Sequence, residues 1–309
     1  MHRLLLARTI GVALAMSWVA LPAAHGAPPV TALASRIATP GQDVIGHFEA
    51  AGMRSVRPYV LTPTELAQVE QALARLPALY RQVLATNLRH LGFVDGVPGQ
   101  GTALTSKVGD SMQFDITVRA SALHESLAQF LTTKERRLFE ADGSGHTVRF
   151  ETDGADALTF LLLHEATHIV DMARRLTGQP GNAFGSGIWE TAPEGGRAPL
   201  APQLAASPLA ATRFRGAGLI PASRARTHYD ALANSPFVSF YATAAPQEDL
   251  AELMAWHVVT RHLGHRIGIS VRDADGALLG YYEPMRFPAV QARLPLLDKL
   301  LDSRQDGHP

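Results

Sequence analysis

The chain has 309 residues, enough to bury a sizeable core in one or two domains. Lys+Arg and Asp+Glu number 28 each, so the formal net charge is zero and no electrostatic footprint points to nucleic acid or an anionic membrane. Cysteine is absent, which excludes disulfides, thiolate metal sites, a cysteine nucleophile and a lipid anchor on an N-terminal cysteine; any metal has to be held by histidine and carboxylate.

The N-terminus has the form of a secretory signal. His2, Arg3 and Arg8 supply positive charge, residues 10–21 an apolar stretch and residues 22–27 a small-residue exit, so 1–26 are expected to be removed on export. The apolar part is too short, and too soon followed by proline, for a membrane span. The remainder is expected in the periplasm or outside the cell. Residues 27–61, with several prolines and glycines, predict a linker and a first loop.

Thr62-Pro63-Thr64-Glu65 is a capping box with proline at the first helical position. Leu66, Val69, Leu73 and Leu76 follow at helical spacing. Pro77 divides the element, and a second half is predicted to about His90, at the helix end. Glycines and prolines mark 92–109 as a loop, and residues 112–119 alternate as a strand does. A helix is predicted over 121–139, with Lys134, Glu135, Arg136 and Arg137 as a solvated charged face. A turn at 142–145 and a strand over 146–152 lead into an apolar helix that starts near 153–156 and stops at Gly178.

Residues 179–235 are the least regular part, and a connection of this length is expected to wall part of a cleft. Residues 237–243 read as a short buried strand or turn. Pro246, with Glu248 and Asp249 in the first turn, announces a further helix that ends before Gly264. A hairpin over 267–282 and an amphipathic helix over 288–301 complete the pattern. This order predicts an α+β fold, mostly helical, with a small mixed or antiparallel sheet beside the helix that starts near 153. Residues 62–302 read as one domain and 303–309 as a tail.

The chemistry sits in that helix. His164, Glu165 and His168 spell HEATH, and histidines four apart stack on one helical face, where both can reach one ion. Glu165 is then placed to take a proton from water rather than to ligate. A catalytic zinc needs three protein ligands and an open position. Asp171, one turn after His168, is one candidate, although a third ligand on the same helix crowds the ion and it reads better as a partner that orients a histidine or pairs with Arg175. Glu248 or Glu252 is the other; the two share a helical face amid apolar neighbours, so one can ligate while the other accepts from a ligand imidazole. His257, His262 and His265 do not all share a face and read as solvated or dipole-pairing residues.

HEATH followed by FYATAAPQEDLAE resembles the gluzincin metallopeptidases, in which glutamate on a second helix completes HExxH. The nearer likeness is to the group of the anthrax lethal factor catalytic domain and the secreted Pro-Pro endopeptidases. There a tyrosine seven residues before the glutamate ligand stabilises the oxyanion, and Tyr241 stands seven before Glu248 here. The resemblance covers about 30 residues in two blocks, and the 179–235 connection is longer than in those relatives. It implies a zincin-like fold and one zinc ion on His164, His168 and Glu248. Glu165 would be the general base, Tyr241 the oxyanion donor, and Glu252 with Asp171 the partners that fix the imidazoles. An exported endopeptidase acting on a peptide or protein is then expected, with residues 146–152 as the edge strand that pairs with substrate. The rival readings are a non-catalytic zinc-binding envelope protein and a zinc hydrolase of non-peptide amides.

Overall fold

The computed structural model describes residues 28–303 except 29, 51, 54, 98–102, 180 and 195. The signal-like segment 1–26 and all of the 303–309 tail but its first residue lie outside the described residues. Where a linker was expected the chain forms α1 (Val30–Ala34), α2 (Gln42–Ala50) and β1 (Arg57–Pro58). Val44, Ile45 and Phe48 make a small satellite core with Val56 and Val94, which is why so proline-rich a stretch still orders.

The capping box then starts α3 (Pro63–Ala74): Thr62 Oγ1 accepts from Glu65 N, and the Glu65 carboxylate accepts from Thr62 N. Pro77 separates it from α4 (Ala78–Asn87). The region read as loop is instead β2 (Leu88–Asp95) and β3 (Ala103–Lys107), followed by β4 (Phe114–Arg119). Leu88 takes extended dihedrals at the helix terminus, so helix passes directly into strand and His90 lies on β2. Gly92 is not a breaker here. A Cβ on it would meet the Pro40 ring at 2.6 Å, so the close approach requires glycine.

These strands form a mixed sheet in the order β1-β2-β4-β3, with β2 and β4 parallel and β3 an antiparallel edge. A second capping box, Ser126 with Gln129, starts α5 (Leu127–Arg136). The short β5 (Phe139–Glu140) precedes β6 (Thr147–Thr152) and then α6 (Ala157–Arg174), the HEATH helix. Asp156 caps α6 through Thr159 N, and its stop is Arg175, in the left-handed region at φ 54°, rather than Gly178.

The 179–235 connection carries α7 (Pro202–Ala205), β7 (Ile220–Pro221), which pairs with β5, and α8 (Ala225–Ala233). Residues 237–243 hold a 3₁₀ turn at Tyr241–Thr243 and no strand. Next come α9 (Pro246–His257), a π-helical turn (Val258–His262), the hairpin β8 (Ile267–Arg272) and β9 (Leu278–Tyr282), then α10 (Pro288–Gln291) and α11 (Leu294–Asp302). β6-β8-β9 is a separate antiparallel sheet.

The fold is α+β, mainly helical, with small mixed and antiparallel sheets. Its centre is α6, buried along most of its length and packed against α9, α4 and the edge strand β3. Among the described residues no helix is long and apolar enough to cross a membrane.

Candidate metal centre

Two helices supply the centre. On α6 the regular spacing stacks His164 and His168, with ring centroids 5.0 Å apart. On α9, Glu248 sits in the first turn with its Oε2 3.2 Å from His164 Nε2 and 3.7 Å from His168 Nε2. One ligand atom from each of the three lies within 4.8 Å of the others. Of the candidates for a third ligand, the helix packing brings in Glu248 and leaves Asp171 and Glu252 elsewhere.

The residues fit a divalent cation. Glu248 Oε2 is buried and has no hydrogen-bond partner among the described residues, its neighbours being the Nε2 atoms of the two histidines. A buried acceptor left so costs about 1–3 kcal/mol, and an ion between it and the imidazoles removes that cost. Burial opposes charge on His164, but Glu248 and Glu252 outweigh it and carry its pKa up to about 9. Burial likewise opposes charge on Glu248, and the two histidines with Lys134 hold it down at about 2. The cluster favours positive charge at its middle, and two imidazoles with one carboxylate are a zinc donor set with room for an open position.

Glu252, 1 % exposed, stands behind the histidines. Its Oε1 is 3.2 Å from His164 Nδ1 and accepts from Lys134 Nζ at 2.9 Å, and its Oε2 accepts from Ser239 Oγ at 2.7 Å. Lys134 therefore lies inside the fold, not on a solvated face. Its Nζ also rests 3.9 Å from the centroid of the Tyr241 ring. Glu135 is buried as well and accepts from Tyr229 Oη at 2.7 Å. Helical spacing carried the signal: Leu127, Phe130, Leu131, Lys134 and Glu135 fall on one face of α5.

Glu165 is buried beside the two histidines, and Thr105 Oγ1 on β3 donates to its Oε2 at 2.7 Å. No sequence pattern marked Thr105, which lies in the stretch read as loop. Asp171 does not orient a histidine. Its carboxylate accepts from Thr177 N and Thr177 Oγ1, at 2.8 and 2.5 Å, and so ties down the chain after α6. Tyr241 stacks on His164 at 5.8 Å between ring centroids and is edged by Phe214 of the long connection at 5.0 Å. Burial, then the carboxylates of Glu248, Glu252 and Glu165, push the Tyr241 phenol well above its usual range, so it stays a donor.

Three cavities meet at Tyr241. One of about 680 Å³ is lined by residues of the long connection, among them Gln179, Asn182, Trp189 and Arg197, together with Gln247 and Glu248. One of about 320 Å³ lies over Leu104, Thr105, Glu165 and His168. A third, about 130 Å³, runs between Lys134, Arg137, Phe160 and Phe214. The strand at the cleft is β3, not the 146–152 strand. β6 pairs with β8 on one side and faces α5 on the other, where Thr132 Oγ1 accepts from Phe150 N.

Asp249, next to Glu248, fixes the start of α9. It accepts both Arg293 Nη atoms, at 2.9 and 2.7 Å, and Trp189 Nε1 at 3.0 Å. Arg215 of the connection donates to Thr243 O and Ala244 O at 3.0 and 3.3 Å, which holds the turn that carries Tyr241.

No known protein family, curated protein or solved structure matches this chain.

Proposed function

We propose that the chain is an exported, zinc-dependent endopeptidase of the gluzincin type, working in the periplasm or outside the cell on a peptide or protein. The observation that carries the reading is the convergence of His164, His168 and Glu248 on one point, with Glu165 and Tyr241 bordering the same cleft. A zinc ion held by those three residues would supply Lewis acidity, acidifying water and polarising a carbonyl. The chain's own groups do the rest. Glu165, held by Thr105, takes the proton of the attacking water and returns it to the leaving amine. The Tyr241 hydroxyl donates to the developing oxyanion, which such a donor stabilises by about 3–4 kcal/mol. Glu252, fixed by Lys134 and Ser239, keeps His164 in place. The free edge of β3 offers main-chain groups to an extended peptide.

The test is metal content of the purified exported form beside His168→Ala and Glu248→Ala, with peptide-library cleavage as the second readout. One zinc lost in both variants, together with cleavage by the wild type, is the expected result. Zinc that persists at this centre in Glu248→Ala would remove the proposed ligand set.

A further inference from the structure

The histidines near the end of α9 have no part in the proposed reaction, and the structure separates them. His265 Nδ1 faces Asp153 Oδ1 at 3.1 Å. His257 and His262 come together with Asp298 of α11, and one ligand atom from each lies within 4.8 Å of the others. The cause is the π-helical turn Val258–His262. Its longer i→i+5 repeat stacks two residues five apart, which an α-helix would splay. The two imidazole centroids are 5.3 Å apart.

His257 is 2 % exposed, with Nε2 2.8 Å from Asp298 Oδ1. Its Nδ1 is buried and has no hydrogen-bond partner among the described residues. A histidine–aspartate hydrogen bond accounts for Nε2 but explains neither this nitrogen nor the approach of an exposed second imidazole.

We propose that His257, His262 and Asp298 form a second Zn²⁺ site, its remaining position left to solvent, that fastens α11 to the far end of α9. Two imidazoles and a carboxylate suit a borderline divalent ion. His262 and Asp298 lie at the surface, so ions enter without any opening of the core. At 1.5 Å per residue, this site stands about 14 Å along α9 from Glu248. Zinc there braces the helix that carries Glu248 and Glu252.

The full protein, stripped by chelator, is titrated with ZnCl₂ by calorimetry, and bound metal is counted after desalting. Wild type should take two equivalents. His262→Ala and Asp298→Ala, both at exposed positions, should each keep one and lose the zinc-dependent rise in Tm that the second equivalent gives. Removing only a partner of a ligand weakens binding about 10–100-fold, so losing a ligand should weaken this site at least as much. His168→Ala should still bind one equivalent, here. Two equivalents retained by His262→Ala and Asp298→Ala would overturn the site, as would a wild type that takes only one equivalent, lost in His168→Ala. Zinc lost in His262→Ala but undiminished in His168→Ala would sustain this site and remove the catalytic one.

Discussion

Both ends of α9 gather imidazole and carboxylate groups, but the backbone presents them differently. At the first end Glu248 and Glu252 are one α-turn apart and face His164 and His168, themselves one α-turn apart on α6. At the far end His257 and His262 meet only because the helix widens into a π-turn before Gly264 ends it at φ 78°. Spacing reports a shared face only while the helix stays regular. That is why the first cluster could be read from the residues and the second was set aside.

Substitutions at the first end should have the largest effects. Glu165→Gln should lower turnover on the order of 10⁴-fold while zinc stays bound, since general acid–base groups contribute about 10²–10⁴; cleavage assays beside metal analysis check it. Tyr241→Phe should lower kcat by about 10²–10³ with zinc retained. A change in KM alone would mean that the hydroxyl only binds substrate.

Lys134→Met removes one of the two cations that face buried Glu252 and leaves His164 as the other, so the loss should fall below the about 3–5 kcal/mol of a fully broken buried pair. Thermal unfolding of the metal-free protein reads this directly. Glu135 provides a pH test in the same cluster. Burial, helped by Glu252 and opposed by Tyr229 and Lys134, raises its pKa to about 7. The folded state then binds its proton more tightly than the unfolded chain does, so this contribution is full below about pH 4.5 and is lost as pH rises through 7. Glu135→Gln should therefore gain on wild type by up to about 3 kcal/mol between pH 4.5 and 8. Equal pH dependence in the two proteins would contradict it. The smallest effect belongs beyond the far end: Arg266, 83 % exposed and 3.9 Å from Asp153, should change stability by less than about 0.5 kcal/mol when replaced by alanine.

Much of the centre was legible because its groups repeat at α-helical spacing amid apolar neighbours. HEATH and the pair Glu248 and Glu252 belong to this class, whereas Tyr241, in a 3₁₀ turn ahead of α9, was marked only by the resemblance. Lys134 was missed because adjacent charges look like a solvated face unless the whole of α5 is laid on a helix, where they fall beside Phe130 and Leu131. Thr105 could not be found, since a single hydroxyl on an edge strand leaves no periodic trace. The end of β2 and all of β3 fall in the stretch read as loop for a related reason. Gly92 looks like punctuation in a sequence, and only the Pro40 ring against it shows the glycine to be a packing requirement.

The ion pair between Asp249 and Arg293 bears on when Glu248 can reach the two histidines. Asp249 is wholly buried, and an unpaired carboxylate there is strongly unfavourable, so the first turn of α9 cannot settle until Arg293 and Trp189 have docked. Both contacts span long stretches of sequence, 44 and 60 residues, and need the intervening chain to close first. Glu248, the adjacent residue, thus depends for its place on contacts made by distant parts of the chain. On the proposed function, the cluster of His164, His168 and Glu248 is then incomplete while the chain's own segments are still extended and open to cleavage.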